Sequence, residues 1–211
     1  MSETLVSLIV RFILVLGLTF TGTAMAIEEP RYFVLENTPP FELRSYEPMI
    51  VAEVQVDGDL DTASRQGFQL IAAYIFGKNQ VNDSTDSGAP IMIEERPSKS
   101  AKIAMTAPVI VENSAERWTV SFVMPAEYTL ATLPKPLDPR VQIRTLPAVK
   151  KAVIQFTGFY NSQKVTEKTI ELEGWIRANN LQAIGSPQFA RYNPPWTLPF
   201  LRRNEILINV R

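Results

Sequence analysis

The pattern of apolar and polar residues predicts a pair of strands early in the chain. Residues 41–58 read FELRSYEPMIVAEVQVDG, and Pro48 divides this stretch in two. Branched side chains, which favour extended backbone, recur after the proline at Val51, Val54 and Val56. We therefore expect two strands joined by a turn at Pro48.

A helix is predicted next, over residues 61–76. Asp59 or Asp61 can cap its first turn, and Gly77 can end it. Its apolar side chains recur at helical spacing, namely Phe68, Ile71, Ala72 and Ile75. The polar residues 78–90 predict an exposed loop. Two further strands are expected over residues 103–111 and 118–124.

The same order of elements then occurs a second time. A shift of 100 positions places residues 42–58 over residues 142–158, with four identities in 17 positions. A second helix is predicted over residues 162–179, followed by strands near residues 189–192 and 206–210. Such a repeat implies two similar halves that share one core. Their strands can close into a barrel with both helices packed outside, which is an α+β fold.

The amino terminus has the layout of a secretory signal. The apolar run FILVLGLTF at residues 12–20 follows Arg11 and precedes the small residues Ala24 and Ala26. We expect cleavage after Ala26 and export to the periplasm or beyond. An uncleaved anchor in the inner membrane is the alternative, although residues 5–20 are fewer than the roughly 20 needed to span a bilayer.

Composition excludes several kinds of chemistry. The 211 residues include no histidine and no cysteine, so disulfides, Cys or His zinc sites and imidazole ligation are impossible. The 21 basic and 22 acidic residues give a net charge of −1, which argues against nucleic acid as a partner because such binding needs clustered positive charge.

The chain resembles SOUL/haem-binding proteins in motifs that follow the family's order along nearly all of residues 27–211. The most specific are IAMTAPV at residues 103–109 and RRNE at residues 202–205. The others are FELRSYEP (41–48), GFQLIAAYIFGKN (67–79), SFVMP (121–125), LPKPLDPRV (133–141), FTGF (156–159) and ARYNPPW (190–196).

This resemblance implies a single domain over residues 27–211 with pseudo-repeats at about 41–125 and 141–211. The implied fold is a distorted antiparallel β-barrel of two similar halves, each with one long helix. The resemblance also implies non-covalent binding of haem or another tetrapyrrole in a groove beside the first helix and the loop before RRNE. Arg65 matches a basic residue that faces a propionate in the family, whereas Ala72 and Ala73 stand where relatives can have Met and Lys.

A haem site needs aromatic and aliphatic side chains for the macrocycle and cations for the two carboxylates. The helix offers Arg65, Phe68, Ile71, Ala72 and Ile75, and the opposing loop offers Tyr192, Trp196, Phe200, Arg202 and Arg203. Core packing is the alternative role for the helix stripe. Pairing with Glu205, or binding to carbonyl groups, is the alternative for Arg202 and Arg203.

Only weak axial ligands for iron remain, with Met105 and Tyr192 as the candidates. A buried methionine usually fills a core. We therefore expect the partner to be a small hydrophobic anion that is held by shape and charge.

Two other functions stay open on the sequence. The first is binding or hydrolysis of other small hydrophobic molecules. A hydrolase could use a glutamate base and a tyrosine acid from the set Glu53, Glu94, Glu95, Glu127, Tyr46, Tyr74 and Tyr128. An envelope protein-interaction module could use the proline-rich loops at residues 38–40, 133–139 and 194–199 as rigid contact surfaces.

Overall fold

The computed structural model describes residues 27–81, 99–114 and 117–211. The predicted leader at residues 1–26, most of the polar loop that follows the first helix, and the two hydrolase candidates Glu94 and Glu95 lie outside the described residues.

Eleven strands and two long helices make up the described chain. The first half contains β1 (Tyr32–Thr38), β2 (Phe41–Tyr46), β3 (Met49–Val56), α1 (Leu60–Ile75), β4 (Asn79–Gln80), β5 (Val109–Ser114) and β6 (Arg117–Val123). The second half contains β7 (Lys135–Pro136), β8 (Gln142–Leu146), β9 (Val149–Phe156), α2 (Ser162–Ala178), β10 (Ala183–Arg191), a short 3₁₀ helix (Pro199–Leu201) and β11 (Asn204–Val210).

Most of the predicted elements are confirmed, but β10 begins at Ala183 instead of near residue 189, the short strands β4 and β7 were not predicted, and two larger differences occur. The strand expected from residue 103 begins only at Val109, because Pro108 has no N–H for a ladder bond and Ile103 instead donates its N–H to the carbonyl of Ile75 at the end of α1. The sequence analysis also missed β1, a mostly exposed strand at the edge of the sheet.

Nine strands form one antiparallel sheet in the order β1-β2-β9-β11-β10-β5-β6-β3-β8. If β1 is left out, the sheet is symmetric. Counted from one edge, β2, β3, β5 and β6 occupy the same positions as β8, β9, β10 and β11, respectively, counted from the other edge. The register obeys the same symmetry, since Leu43 pairs with Ala152 while Ala52 pairs with Ile143. These two pairs are related by the 100-residue shift, so the fold of two similar halves is confirmed. The edge strands β1 and β8 do not pair within the described residues, so the distorted barrel stays open there.

Both helices pack on one face of the sheet. α1 lies on β3, β5 and β6, and α2 lies on β9, β10 and β11. The main core forms beneath them, while a second, smaller apolar cluster that includes Tyr46, Tyr192 and Leu207 forms on the opposite face. No helix among the described residues has the length and apolar content needed to cross a bilayer.

The predicted capping of α1 is confirmed at Asp59, whose carboxylate accepts a hydrogen bond of 2.7 Å from the Thr62 N–H. Gly77 follows the helix with a φ of +119°, a conformation that suits glycine. Asn161 caps α2 in the same way through the Lys164 N–H.

Gly67 lets α1 lie close to the sheet. A Cβ atom at this position would be 2.4 Å from the Cβ atom of Val120, which is completely buried on β6. By contrast, Gly174 on α2 has no heavy atom within 4 Å of such a Cβ atom.

Replacing these two glycines is expected to have opposite effects. Gly67→Ala should lower the free energy of unfolding by roughly 1–2 kcal/mol, because overpacking against Val120 outweighs the better helix propensity of alanine. Gly174→Ala, the matched control, should raise it by up to about 1 kcal/mol. Urea titrations measure both values, and a stabilising Gly67→Ala would show that α1 and β6 do not approach this closely.

Candidate functional site

The predicted binding residues on α1 divide between two sides of the helix. Ile71 and Ile75 are fully buried in the main core beneath the helix. They cannot contact a ligand, so for these two residues the core-packing interpretation is the right one. Residues at every third and fourth position of a helix form a stripe that includes both core residues and residues at the edge of the core. The periodicity alone does not distinguish the two groups.

The outer part of the stripe remains accessible. Arg65 is exposed and Phe68 is 37% exposed with its ring 5.6 Å from that of Phe122, whereas Ala72 in the same row is buried. Phe76 continues the same row after Ala72 and is 57% exposed. The sequence analysis missed Phe76 because it is the last residue of its predicted helix, although an aromatic residue four positions after Ala72 was a usable signal. We call Arg65, Phe68, Ala72 and Phe76 the α1 row.

The loop between β10 and β11, residues 192–203, carries the second predicted set. Trp196 and Phe200 are 82% and 69% exposed. Arg202 donates hydrogen bonds to the carbonyls of Thr197 and Pro195, and its guanidinium lies 4.9 Å from the ring centroid of Phe159. The interpretation of Arg202 as a carbonyl-binding residue is therefore correct.

The central strands β5 and β10 form a floor between the two helices. Phe122, which touches Phe68, is the register partner of Val109, and Val109 is the partner of Arg191. Partners in an antiparallel ladder share a face and lie one strand spacing apart, so this floor is roughly 10 Å wide. We call the region between the α1 row and the 192–203 loop the interhelix gap.

Arg191 places a cation on this floor. Its side chain is half-buried, its guanidinium lies 5.3 Å from the Tyr160 ring centroid, and it donates to the Tyr160 hydroxyl. Its Nε atom is buried without a hydrogen-bond partner, and no described carboxylate forms an ion pair with it. Arg191 was not singled out from the sequence, because nothing in ARYNPPW shows that strand register places it on the helix side of the sheet, beside Tyr160 at the start of α2.

Tyr192 and Arg203 face the other side of the sheet. The Tyr192 hydroxyl donates to the Glu205 carboxylate over 2.7 Å, and the Arg203 Nε donates to the same carboxylate over 2.9 Å. Burial and the neighbouring Glu205 charge raise the pKa of Tyr192, so the phenol stays protonated. Tyr192 is therefore removed both from the aromatic surface of the gap and from the candidate iron ligands. Arg203 pairs with Glu205, as its alternative interpretation held.

The centre of that opposite face is a closed polar cluster. Glu205 is completely buried and accepts bonds of 2.9 and 3.0 Å from the two terminal nitrogens of Arg44. Arg44 also donates to Glu42 and to the Tyr46 hydroxyl. Burial by itself would lower the pKa of Arg44, but the bond and the charge of Glu205 outweigh it and raise that pKa. Arg44 thus remains a cation, and the hydrogen-bonding groups of the pair are used by the protein itself.

Lys151 borders this cluster on β9. Its side chain is buried, its amine lies 5.5 Å from the Tyr46 ring centroid, and it donates a bond of 2.6 Å to the Gln188 side-chain oxygen. Burial lowers the pKa of Lys151 to about 8, although the nearby Glu112 charge opposes this shift. The amine therefore loses its proton more easily than an exposed lysine.

The described members of the hydrolase set do not meet in an acid–base pair. Glu53 forms an ion pair of 2.8 Å with Arg144, and Glu127 is exposed. Tyr46 is bound to Arg44, and Tyr74 donates to the carbonyl of Pro134. None of the hydrogen bonds among the described residues joins one of these glutamates to one of these tyrosines.

A cavity of about 840 Å³ lies on the other flank of α1. Gln66, Gln69 and Ala73 line it from the helix. Its charged groups include two bonded pairs, Arg117 with Asp57 and Arg140 with Asp138, and the single amine of Lys78. Ala73, which was considered together with Ala72, lines this cavity, but none of the other residues predicted to hold a ligand does, so the cavity is distinct from the interhelix gap.

The architecture defines the class of the protein as a two-halved α+β fold built on an open antiparallel barrel. The C-terminal domain of EcmrR has this fold, with a TM-score of 0.56, 13% sequence identity, and coverage of 85% of this chain and 98% of that domain. A hydrolase from Listeria innocua has it as well, with a TM-score of 0.54, 13% identity, and coverage of 84% and 94%. At such identities the likeness concerns the fold alone.

Sequence similarity is more specific, and the chain belongs to the SOUL haem-binding protein family. The family model, described as SOUL heme-binding protein, matches residues 27–209. Human Heme-binding protein 2 is 29% identical over 203 residues, which cover 90% of this chain and 89% of that protein. Heme-binding protein 1 of Xenopus laevis is 24% identical over 167 residues, covering 79% and 81%. The family predicted from the motifs is confirmed.

The buried amine of Lys151 should make stability depend on pH. Its pKa is about 8 in the folded chain against 10.5 for an ordinary lysine, so between these values the unfolded chain binds more protons and the free energy of unfolding rises with pH. The full rise is at most about 3 kcal/mol. Lys151→Met should lose this rise, and urea titrations from pH 7 to pH 10.5 compare the two chains. Parallel curves would show that Lys151 titrates normally.

Proposed function

We propose that this chain binds haem or a related tetrapyrrole non-covalently in the interhelix gap. Family membership supports the ligand class, and the geometry of the gap supports the location. The observation that carries the location is Arg191, a half-buried cation on the floor of the gap that has a buried, unpartnered Nε atom and no carboxylate partner among the described residues.

The residues around the gap fit the two chemical parts of a tetrapyrrole. The rings of Phe68 and Phe76 on one side and of Trp196 and Phe200 on the other are exposed, as contact with a flat apolar macrocycle requires. Ala72 is buried between the two phenylalanines, so a planar ring would contact the exposed rings of Phe68 and Phe76. Removing several hundred Å² of such surface from water contributes several kcal/mol at roughly 25 cal/mol per Å² before ordering costs.

Two cations are suited to the carboxylates. Arg191 lies on the floor, and Arg65 lies exposed at the end of the α1 row. Arg202 and Arg203 are less suited, because the first holds loop carbonyls and the second holds Glu205 and Glu29. We assign the propionates to Arg191 and Arg65, which modifies the set predicted from sequence.

The donor set does not fit strong axial ligation of iron. The chain has no histidine, and Tyr192 is protonated and bound to Glu205. Met105 is half-buried in the segment before β5 and remains the one candidate from the sequence analysis. If haem binds here, the protein would tune the chemistry of its iron only weakly. The site therefore supports a role in haem transport or storage rather than in catalysis.

We also propose that residues 1–26 direct export and are then removed. The apolar run at residues 12–20 and the small residues Ala24 and Ala26 support this proposal. Sequencing the amino terminus of the chain recovered from the cell envelope should give Ile27. A chain that retains Met1 would instead favour the membrane anchor.

Parallel titrations of haem and of iron-free protoporphyrin test the proposed site. The two ligands should bind within about tenfold of each other, because shape and charge hold both. Arg191→Gln should weaken both by roughly tenfold, through loss of a charge-assisted hydrogen bond. Arg65→Glu and Trp196→Ala should also weaken both, whereas Arg117→Gln, on the other flank of α1, should bind like the original chain.

Two results would contradict this proposal in different ways. Haem binding a thousandfold more tightly than protoporphyrin would show that the metal contributes most of the affinity. Unchanged binding by the Arg191, Arg65 and Trp196 variants, each with an unaltered thermal transition, would show that the ligand lies elsewhere.

A further inference from the structure

The 192–203 loop presents a concentrated apolar tip. Four large side chains within six residues are 55–82% exposed, namely Trp196, Leu198, Phe200 and Leu201. Phe159, which is 70% exposed, lies beside this tip under the Arg202 guanidinium. Contiguous exposed apolar surface of this kind marks a contact site rather than ordinary protein surface.

The loop backbone satisfies much of its hydrogen bonding internally. Pro194, Pro195 and Pro199 have no N–H, and the carbonyls of Pro194 and Leu198 accept from Thr197 and Leu201, respectively. The Arg202 side chain binds the carbonyls of Pro195 and Thr197. The Pro199 carbonyl accepts from the N–H groups of Arg202 and Gly158. A loop that is largely bonded to itself loses fewer hydrogen bonds to water when it enters the interfacial region of a bilayer.

The lack of free charge on the loop also fits a lipid surface as the partner. No acidic residue occurs from Asn193 to Asn204, and the two arginines are already bonded within the protein. A tip without free charge gains little from an anionic surface. Its tryptophan is the side chain most suited to the boundary between lipid and water.

We propose that the tip formed by Trp196, Leu198, Phe200 and Leu201 docks the protein on a lipid bilayer by entering the interfacial region. A protein groove is less well matched, because directional recognition of a loop commonly uses backbone groups, and many of those in this loop are already bonded. The same loop borders the interhelix gap, so docking would bring that gap to the bilayer surface. The docking itself does not depend on haem.

Depth-dependent fluorescence quenching in the haem-free full chain tests the docking. Trp118→Phe with Trp175→Phe leaves Trp196 as the single tryptophan, since the chain has three. Phosphatidylcholine vesicles with brominated acyl chains should quench Trp196. The matched control keeps only Trp118, on β6 at the other end of the sheet from the loop, and it should not be quenched. Residues 1–26 contain no tryptophan, so lipid binding by the leader adds no signal.

Vesicle partition supplies the second measurement. Trp196→Ala and Phe200→Ala should each reduce partition by roughly tenfold, whereas Phe33→Ala, which removes an equally exposed ring from β1, should not change it. Binding should persist in high salt and on uncharged lipid. Absence of vesicle binding, equal quenching of Trp118 and Trp196, an unquenched Trp196 on bound chains, or binding only to anionic lipid would each overturn the proposal.

Discussion

The buried pair of Arg44 and Glu205 constrains the rest of the molecule. It joins β2 of the first half to β11 of the second half, 161 residues apart, through two parallel hydrogen bonds. Removing one partner from such a pair typically costs about 3–5 kcal/mol, because the other is left charged and buried. The pair, with Tyr46, Tyr192 and Arg203 around it, fills the centre of the face of the sheet opposite the helices. This supports the proposal that a flat ligand lies on the helix side.

The two halves of the fold share a backbone arrangement but differ in their side chains. Arg144 is the counterpart of Arg44 in the other half, yet it is more than half exposed and pairs with Glu53. The backbone register repeats almost without change, while the side chains do not. The asymmetry that matters for binding is likewise in the side chains, since Arg191 and the 192–203 loop belong to one half and the α1 row belongs to the other. The proposed site thus needs both halves together.

Sequence reasoning recovered the features that depend on local chemistry. Both helices, the cap at Asp59 and the doubled order of elements follow from spacing and residue type, and the carbonyl role of Arg202 was among the stated alternatives. What it missed depends on register and burial. Nothing local separates Ile71, inside the core, from Phe68, at its margin, because both fit the same helical period. Tyr192 and Arg191 are neighbours in sequence, and only the alternation of β10 sends the first to the polar cluster and the second to the gap.

The proposed ligand position is the helix side of the sheet, since the protein's own ion pair fills the centre of the other side. Amide shift mapping by NMR during titration with iron-free protoporphyrin tests this directly, since a diamagnetic ligand leaves nearby signals visible. The largest shifts are expected at residues 65–76 and 191–201. Shifts centred instead on Tyr46, Lys151 and Glu205 would contradict it.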